Sequence, residues 1–342
     1  MNALLLDQAL ATFNLRAGSM PMPEPAAGEV RIRMCAAALN PVDFKLASGG
    51  HPAWSYPHIP AVDGAGWIDA VGEGVVGFAT GERVCAHFPL TRPGTLAHYA
   101  VVQAHAVCKV PDRVSLLTAA SLPCAAWTAW QALTRKLHLQ TWRPGQTILI
   151  EAAAGGVGGF AVQMARHWGA TVIATCSSAN HAYVTELGAA HVIDYRTHDV
   201  AKTVSRLTGG RGVDAVLDSL GGASGQRDLG LLAYAGSMAC LINLPDVSQV
   251  NVFSLAPSLH FITLGGAWLS GDRDAQLDLA RIGQEVLELL TSGAIQALPI
   301  TRLEFDAKHV THALHEQGSG RVRGKQVVEI SAEPVDAAHP LI

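Results

Sequence analysis

The sequence has few charged residues, few aromatic residues and no long hydrophobic run. Charged residues make up 15% and aromatic residues 6%, whereas hydrophobic residues make up 49%. A disordered chain needs high charge with low hydrophobicity, so this class is excluded. The 34 glycines follow no period of three, which excludes a collagen-like fibre. At roughly 150 residues per domain, a globular chain of 342 residues is expected to form about two domains.

The charge balance is slightly acidic, with 24 basic and 28 acidic residues and a net charge of −4. A broad nucleic-acid interface normally needs a basic face, so no nucleic-acid partner is expected. No stretch approaches the roughly 18–20 apolar residues that cross a membrane. Residues 1–7 lack the basic and apolar regions of a signal peptide. We therefore expect a cytoplasmic protein without a membrane partner.

The six cysteines are widely spaced and include no C-x-x-C pair. In a chain of this length, such spacing is typical of a reduced protein with core cysteines rather than of a disulfide framework.

The local pattern changes along the chain. Residues 1–122 are rich in strand and turn signals, with alternation at 30–34 and frequent glycines from 64 to 81. Residues 123–268 alternate short apolar runs with helical patterns, which predicts a parallel sheet covered on both faces. The predicted strands there are 147–150, 171–174, 191–193, 213–217, 237–242 and 260–264.

The segment 269–342 has no nucleotide-binding pattern of its own. Its pattern predicts a helix at 274–290, a strand at 298–305, a helix at 306–316 and a strand at 325–330. We predict that this segment packs on the first domain. One domain would then comprise 1–122 and 269–342, and the other 123–268.

A glycine-rich turn follows the predicted strand 147–150 and precedes a helical pattern. Ala153, Gly155 and Gly158 have the spacing of a G-x-G-x-x-G fingerprint, with Ala first. Gly155 would let the backbone approach a pyrophosphate, or would be needed for a left-handed backbone. Gly158 would let the helix pack close to the strand, and free N–H groups near Val157 would hold the phosphate. A tight turn without a ligand is the alternative.

No Asp or Glu follows the second predicted strand, 171–174, where NAD enzymes usually carry an acid for the ribose 2′-OH. Ser177, Ser178 and His181 are present instead and can bind a 2′-phosphate. This region therefore predicts NADPH rather than NADH. The alternative, compatible with this role, is that the serines cap a helix near Asn180.

Several further motifs occur along nearly the whole chain. They are Asn40-Pro41-Val42-Asp43, Gly64-Ala65-Gly66, Val71-Gly72-Glu73-Gly74-Val75, Gly81-Glu82-Arg83-Val84, Ala120-Ser121-Leu122-Pro123, Thr128-Ala129, Arg143-Pro144-Gly145, Leu187-Gly188-Ala189, Thr208-Gly209-Gly210-Arg211-Gly212-Val213-Asp214 and Asp218-Ser219-Leu220-Gly221-Gly222. With these motifs, the chain resembles the zinc-independent quinone oxidoreductases of the medium-chain dehydrogenase/reductase superfamily.

The resemblance implies an α/β fold made of a GroES-like β-rich domain and a Rossmann doubly wound parallel-sheet domain, with the active site in the cleft between them. It implies NADPH-dependent reduction of a small molecule, either a quinone or the C=C bond of a conjugated enal or enone. It also implies a homodimer or a higher homo-oligomer.

The resemblance also assigns residues. Thr128 and Asn243 match positions near the nicotinamide and ribose, and Tyr195 matches a tyrosine beside the 2′-phosphate. His181 stands where the family often has lysine, and Lys325 belongs to a basic segment that reaches the cofactor. The predicted cofactor-binding residues are Thr128, Ala153, Gly155, Gly156, Val157, Gly158, Ser177, Ser178, His181, Tyr195, Asn243 and Lys325.

Zinc enzymes of the same superfamily use three protein ligands for the catalytic metal. The resemblance places Asn40 and Val62 at two of these positions, and Cys124, for which core packing is the alternative, at the third. No metal is therefore predicted. A predicted helix carries three histidines that do not all share one face, and a solvated face is the better interpretation. These are His309, His312 and His315.

Without a metal, a quinone or conjugated enone is easier to reduce than a simple ketone, because hydrogen-bond donors can stabilise the charge that develops on its oxygen. Asn40 is the predicted donor, and Asp43 and Tyr56 are the other catalytic candidates. The alternatives are a turn or cap role for Asp43 and a loop aromatic for Tyr56.

Two other functions stay open. One is a 2-enoyl thioester reductase, which would use the same chemistry on a different substrate. The other is an NADPH-binding protein of low turnover.

Overall fold

The computed structural model describes residues 1–332 of the chain. Residues 333–342, the end of the predicted segment 269–342, lie outside the described residues. The strands are β1 (Asn2–Leu6), β2 (Leu15–Ser19), β3 (Glu29–Leu39), β4 (Asp63–Val71), β5 (Arg83–His87), β6 (Tyr99–Gln103), β7 (Cys108–Lys109), β8 (Thr147–Ile150), β9 (Thr171–Cys176), β10 (His191–Asp194), β11 (Val213–Asp218), β12 (Leu232–Cys240), β13 (Ser258–Phe261), β14 (Ile300–Glu304) and β15 (Lys325–Glu329). The α-helices are α1 (Pro41–Gly49), α2 (Leu116–Ala120), α3 (Thr128–Trp130), α4 (Gly156–His167), α5 (His181–Glu186), α6 (Val200–Leu207), α7 (Gly222–Leu229), α8 (Val252–Leu255), α9 (Gly266–Leu269), α10 (Arg273–Thr291) and α11 (Ala307–Gly318).

The chain forms two compact units. The first unit comprises Met1–Trp127, Leu264–Thr291 and the described residues from Pro299 onward, and the second comprises Thr128–Thr263 and Ser292–Leu298. The predicted domain limits, 1–122 with 269–342 and 123–268, stay predictions.

The short segment Ser292–Leu298 belongs to the second unit because of side-chain contacts with α4. The backbone N–H of Gln296 donates to Gln163 Oε1 at 2.8 Å, and Gln163 Nε2 donates back to Gln296 O at 3.2 Å. Leu298 packs against Gly159, where an added Cβ would lie 3.1 Å from its methyl carbons.

The first unit is built around β3, which pairs antiparallel with β4, β6 and β15. The seven-stranded sheet has the order β14-β15-β3-β4-β5-β7, with β6 also paired to β3. The register places Gln326 opposite Leu39, and Asp63 opposite Ala38. The ends of β3 and β4 and the start of β15 therefore meet, and this junction is where the polar cluster described below lies.

The second unit contains a six-stranded sheet in the order β10-β9-β8-β11-β12-β13, and all neighbouring pairs are parallel. Numbered from β8, this is the order 3-2-1-4-5-6 of a doubly wound nucleotide-binding sheet. The order reverses between β8 and β11, so ligands are expected beyond the carboxyl ends of these two strands.

The predicted α/β class, with a β-rich part and a doubly wound parallel part, is confirmed. All six cysteines are buried or half-buried, as predicted. Among residues 1–332, no helix combines the length and the hydropathy needed to cross a bilayer.

Candidate functional site

The turn after β8 brings the start of α4 close to the strand. Ala152 adopts a positive φ of 52°, and the N–H of Ala153 donates to Thr175 O on β9 at 3.0 Å. A Cβ on Gly158 would lie 2.5 Å from Ala152 O. The close helix–strand packing predicted for Gly158 is therefore present, and only glycine permits it.

Gly155 leaves space on the open side of this turn. It is the N-cap of α4 with φ −80° and ψ 179°, so it needs no left-handed backbone. A Cβ there would meet only Ala152 O, at an ordinary contact distance of 3.4 Å. The N–H groups of Gly156, Val157 and Gly158 begin a twelve-residue helix and have no acceptor within it. This gap beside a positive helix end fits the pyrophosphate of a dinucleotide.

The end of β9 carries the predicted 2′-phosphate residues. Ser178 and His181 are exposed and Ser177 is half-buried. The side chains of Ser177 and Asn180 do not cap the helical turns that follow them, so side-chain capping does not explain the serines. Ser177 Oγ accepts a long bond of 3.4 Å from Asn180 Nδ2.

The neighbouring strand β10 adds two exposed side chains at the same edge of the sheet. Tyr195 is 51% exposed, and the Arg196 guanidinium lies 5.6 Å from its ring centroid. The N–H of Arg196 donates to Asp194 Oδ1 at 3.0 Å. This bond, with further bonds from Ser178 and Thr197, holds the pKa of the Asp194 carboxyl below its usual range. Sequence reasoning missed Arg196, although an arginine directly after the strand end was a usable signal.

Asn243 and Thr128, which the resemblance assigns to the cofactor, both lie in the second unit. Asn243 follows β12, and its Oδ1 accepts from the N–H of Gly222 at 3.1 Å. A Cβ on Gly221 would lie 2.4 Å from the same oxygen. Thr128 is buried at the start of α3. The structure thus brings Asn243 against the loop that follows β11.

A buried acidic group lies beside the glycine turn. Glu151, directly after β8, accepts hydrogen bonds from Thr175 Oγ1 and from Arg227. Arg227 Nε also donates to Asp228 Oδ1 at 2.8 Å. Burial, followed by the charge of Glu151, raises the pKa of the Asp228 carboxyl to about 8. Sequence reasoning missed this group.

Asp218, at the end of β11, shapes the loop that meets Asn243. Its Oδ1 accepts from the N–H groups of Leu220 at 2.8 Å and Gly221 at 2.9 Å. Asp218 is fully buried, so these bonds hold the loop from its buried side.

The first unit contains a second buried polar cluster, centred on Asn40. Asn40 is the N-cap of α1, and its Nδ2 donates to Asp63 Oδ2 at 2.9 Å. Lys325 Nζ donates to Asn40 Oδ1 and, at 3.4 Å, to Leu39 O. All three cluster side chains are buried. Lys325, predicted as a cofactor ligand, is thus found with its ammonium at Asn40.

Asp63 connects further residues of this cluster. Its Oδ1 lies 2.9 Å from His87 Nδ1, and its Oδ2 accepts from the N–H of Cys124 at 2.9 Å. Asn40 and Cys124, which match zinc-ligand positions, therefore contact one carboxylate. Within residues 1–332, no three His, Cys, Asp or Glu side chains are arranged to hold a metal ion. Sequence reasoning missed Asp63 and His87 as members of the site.

Asp43 combines a cap role with an unsatisfied oxygen. Its Oδ2 accepts from the N–H of Asn40 at 2.8 Å, which confirms the cap interpretation. Its Oδ1 is buried and has no hydrogen-bond partner among the described residues. Burial, followed by the charge of Asp63, raises the pKa of the Asp43 carboxyl to about 8. At neutral pH Asp43 is therefore largely a protonated acid.

A small pocket, open to solvent, lies against Asp43 in the first unit. Its other polar lining residues are His58 and Arg92, and Trp54 forms part of its apolar wall. Trp54 stacks on His58 with 3.7 Å between ring centroids. Burial, followed by the charge of His51, lowers the pKa of His58 to about 4.

The remaining predicted residues lie apart from these clusters. Tyr56 is 41% exposed in the loop before β4 and meets Trp54 edge-on, with ring centroids 6.4 Å apart. His309 and His312 have exposed side chains, as a solvated face requires. His315 instead stacks on Phe13 with centroids 4.5 Å apart.

Comparison with known families matches both halves of the architecture. Residues 26–112 match the family described as "Alcohol dehydrogenase GroES-like domain". Residues 156–283 match the family described as "Zinc-binding dehydrogenase". The GroES-like part of the predicted fold is thereby confirmed.

Individual proteins are similar over most of the chain. A chloroplast envelope quinone oxidoreductase homolog of Arabidopsis thaliana is 39% identical over 59% of this chain and 63% of its own length. A 2-haloacrylate reductase of Burkholderia sp. is 38% identical over 74% of this chain and 78% of its own. The crystal structure of a Pseudomonas syringae quinone oxidoreductase has a TM-score of 0.84 and 30% identity, covering 96% of this chain and 99% of its own.

The matched region thus spans less than two thirds of the Arabidopsis protein, whereas it spans most of the Burkholderia and Pseudomonas proteins. The last two matches cover both units. The chain therefore belongs to the quinone oxidoreductase-like branch of the medium-chain dehydrogenase/reductase superfamily, whose members are oxidoreductases that use a nicotinamide cofactor.

Proposed function

We propose that the protein is an NADPH-dependent oxidoreductase that transfers hydride to a quinone or to the C=C bond of a conjugated enal or enone, without zinc. The observation that carries the proposal is a contact in the buried cluster, where the backbone N–H of Asn40 donates to the carboxyl of Asp43, whose pKa is raised to about 8. The resemblance matches Asn40 to the position of a metal ligand in the zinc enzymes. The names of the relatives agree with this substrate range, because one is a quinone oxidoreductase and another reduces a haloacrylate.

The second unit holds the cofactor in this proposal. The gap at Gly155 and the N–H groups of Val157 and Gly158 bind the pyrophosphate. Ser177 and Tyr195, with its neighbour Arg196, bind the adenosine 2′-phosphate. When bound, the reduced nicotinamide supplies the hydride.

The first unit acts on the substrate. As hydride adds to carbon, negative charge develops on the conjugated oxygen, and the Asn40 amide donates a hydrogen bond to it. Asp43, protonated at neutral pH, supplies the proton that completes the reduction. A buried carboxyl with a raised pKa suits this role better than Tyr56, which is exposed in a loop.

We further propose that no zinc takes part. Asn40 replaces a thiolate, and its amide is engaged by Lys325 and Asp63 rather than left open for a metal. Elemental analysis of the purified protein should show no stoichiometric zinc, and chelators should leave turnover intact. One tightly held zinc per chain that is lost together with activity would contradict this assignment.

Oxidation of NADPH with a panel of acceptors tests the function. Benzoquinones and conjugated enals or enones should be reduced, whereas simple saturated ketones should not. A preference for 2-enoyl thioesters would favour the alternative substrate class. Tight NADPH binding with negligible turnover on every acceptor would favour a binding role instead.

We also propose that the protein is a cytoplasmic homodimer. The strand β13 lies at the edge of the six-stranded sheet, and apolar side chains near it are exposed, notably Phe253 at 93% and Phe261 at 47%. An open apolar edge strand can pair with a second copy. Light scattering should give twice the mass of the chain, and Phe261→Glu should shift it toward the monomer.

A further inference from the structure

Charged side chains from distant parts of the chain hold both ends of the Asn40 amide. Lys325, on β15, donates to Oδ1, and Asp63, on β4, accepts from Nδ2 at 2.9 Å. A cation can bind only the oxygen end and a carboxylate only the nitrogen end, so this pair fixes the orientation of the amide. The second N–H of Nδ2 makes a long bond of 3.5 Å to Ala38 O, at the outer limit of a hydrogen bond. A substrate oxygen at a shorter distance can replace this weak acceptor.

The surroundings keep the two charged partners in place. Asp63 is fully buried, and its two oxygens also contact His87 Nδ1 and the N–H of Cys124, both at 2.9 Å, so the carboxylate cannot rotate freely. Lys325 is buried as well, and its charge also reaches the Asp43 and Cys124 side chains. Charges interact more strongly in a buried environment than in water, and hydrogen-bonded groups polarise one another there.

We propose that Lys325 and Asp63 are positioning residues that hold Asn40 as the donor to the substrate oxygen, and that Lys325 supplies the fixed positive charge of the site. This inference rests on the proposed function. A cation on Oδ1 draws electron density from the amide and strengthens the donor character of the second N–H, whose bond to Ala38 O is long. The carboxylate on the other N–H fixes the direction of the group before charge develops on the substrate.

A double-mutant cycle tests whether Lys325 acts through Asn40. Lys325→Met keeps an unbranched side chain but removes the charge, and Asn40→Ala removes the amide. Each variant should lower kcat/KM for the acceptor by about 10²-fold, the loss typical of a missing oxyanion donor. The kcat/KM of the double variant should be no more than about threefold lower than that of the less active single variant, because the effects of coupled residues are not additive. A combined loss near 10⁴-fold would mean independent roles and would overturn the inference.

Lys109→Met is the matched control. Lys109 lies in the same unit, but it is exposed and paired with Glu82 on the surface, so kcat/KM should stay unchanged. NADPH affinity should be within about twofold of wild type in all folded variants, because the cluster lies in the unit that does not bind the cofactor in our proposal. A parallel loss of kcat/KM in the control would also count against the inference.

Asp63→Asn provides a second test if Lys325→Met does not fold. It keeps the shape of the side chain, and it should lower kcat/KM at least about tenfold, non-additively with Asn40→Ala. Full activity or additive losses would overturn the inference. If the wild-type protein reduces no acceptor, the proposed function fails. The same cycle measured by thermal unfolding then still decides whether the three residues act as one unit, because additive shifts in Tm would show that they do not.

Discussion

The two polar regions of the molecule are constructed in opposite ways. The region of the second unit is a turn formed largely by the contiguous segment 151–158, and its proposed binding groups are backbone N–H groups beside a glycine, which has no side chain to cover them. The cluster of the first unit consists of side chains from separate strands, including Asn40, Asp63 and Lys325. The backbone turn can therefore be tested by a substitution that adds a side chain, such as Gly155→Val. The side-chain cluster can be tested by a substitution that removes a charge, such as Lys325→Met.

Each region also contains a buried carboxyl whose pKa is raised to about 8, but the two carboxyls differ in their partners. Asp228 is bonded to the cation Arg227 and lies beside the glycine turn. Asp43 accepts from the backbone N–H of Asn40 and lines a pocket. Each of the two carboxyls keeps one buried oxygen without a hydrogen-bond partner among the described residues. In the proposed function, Asp43, which lines the pocket, transfers the proton, and Asp228, which is bonded to Arg227, supports the glycine turn.

Asp43→Asn should have the largest effect. General acid catalysis contributes about 10²–10⁴-fold, so kcat for an enone should fall within this range while NADPH affinity is kept. In the wild type, kcat should decline above pH 8 as Asp43 loses its proton, and the variant should lose this decline. Asp228→Asn is the comparison variant, which should alter NADPH affinity and keep the decline. If kcat of the Asp43→Asn variant still declines near pH 8, a group other than Asp43 supplies the proton.

Gly155→Val should weaken NADPH binding by at least about 2 kcal/mol, or about 30-fold, because a branched side chain fills the gap beside the helix N-terminus. Its Tm should stay close to wild type, since φ is negative and the nearest atom is 3.4 Å from the added Cβ. Gly158→Val is the internal contrast. Its Cβ would meet Ala152 O at 2.5 Å, so Tm should fall sharply. If the folded Gly155→Val variant binds NADPH as tightly as the wild type, the dinucleotide does not bind at this turn.

Much of the fold could be predicted because burial leaves a regular pattern. The predicted strand 147–150 and helix 274–290 match β8 and α10 to within one residue at each end. The assignment of Ser292–Leu298 to the second unit could not be predicted. It depends on the pairing of Gln163 with Gln296, a contact between distant residues that leaves no periodic signal.

The same distinction applies to the candidate sites. The glycine turn could be predicted because its geometry is local and only glycine permits it at Gly158. The partners of Asn40 could not, because the antiparallel register of β15 on β3 brings Lys325 to it across the sheet. Register depends on packing across strands rather than on the composition of either strand. The resemblance implied a cofactor role for Lys325, which stays a prediction, and the structure adds the contact of its ammonium with Asn40.

The two buried carboxyls should also make stability depend on pH. An unfolded aspartate releases its proton near its model value of 3.8, whereas Asp43 and Asp228 hold theirs to about 8. Between these values the folded state binds more protons, so raising the pH favours unfolding. From pH 6.5 to 7.5 the free energy of unfolding should fall by up to about 1.4 kcal/mol for each group. Denaturant titrations should show a smaller decline in Asp43→Asn and in Asp228→Asn, and an unchanged slope in both would contradict the raised pKa values.

The smallest expected effect concerns cofactor choice at the ends of β9 and β10. The wild type should bind NADPH at least about tenfold more tightly than NADH, because no carboxylate follows β9 and Ser177, Tyr195 and Arg196 are available to a 2′-phosphate. Arg196→Ala should cost about 1 kcal/mol of NADPH affinity, or about fivefold, and should leave NADH affinity unchanged.

Arg206→Ala controls for the change in net charge. Arg206 is also exposed, but it lies in the last turn of α6, which runs from the carboxyl edge of the sheet back toward its amino edge. Its removal should therefore leave the ratio of NADPH to NADH affinity unchanged. Equal losses of NADPH affinity in both variants would show that overall charge, and not a local 2′-phosphate contact, sets the preference. If the wild type binds NADPH and NADH equally tightly, the ends of β9 and β10 do not form a 2′-phosphate site. The second unit would then hold its cofactor through the glycine turn alone.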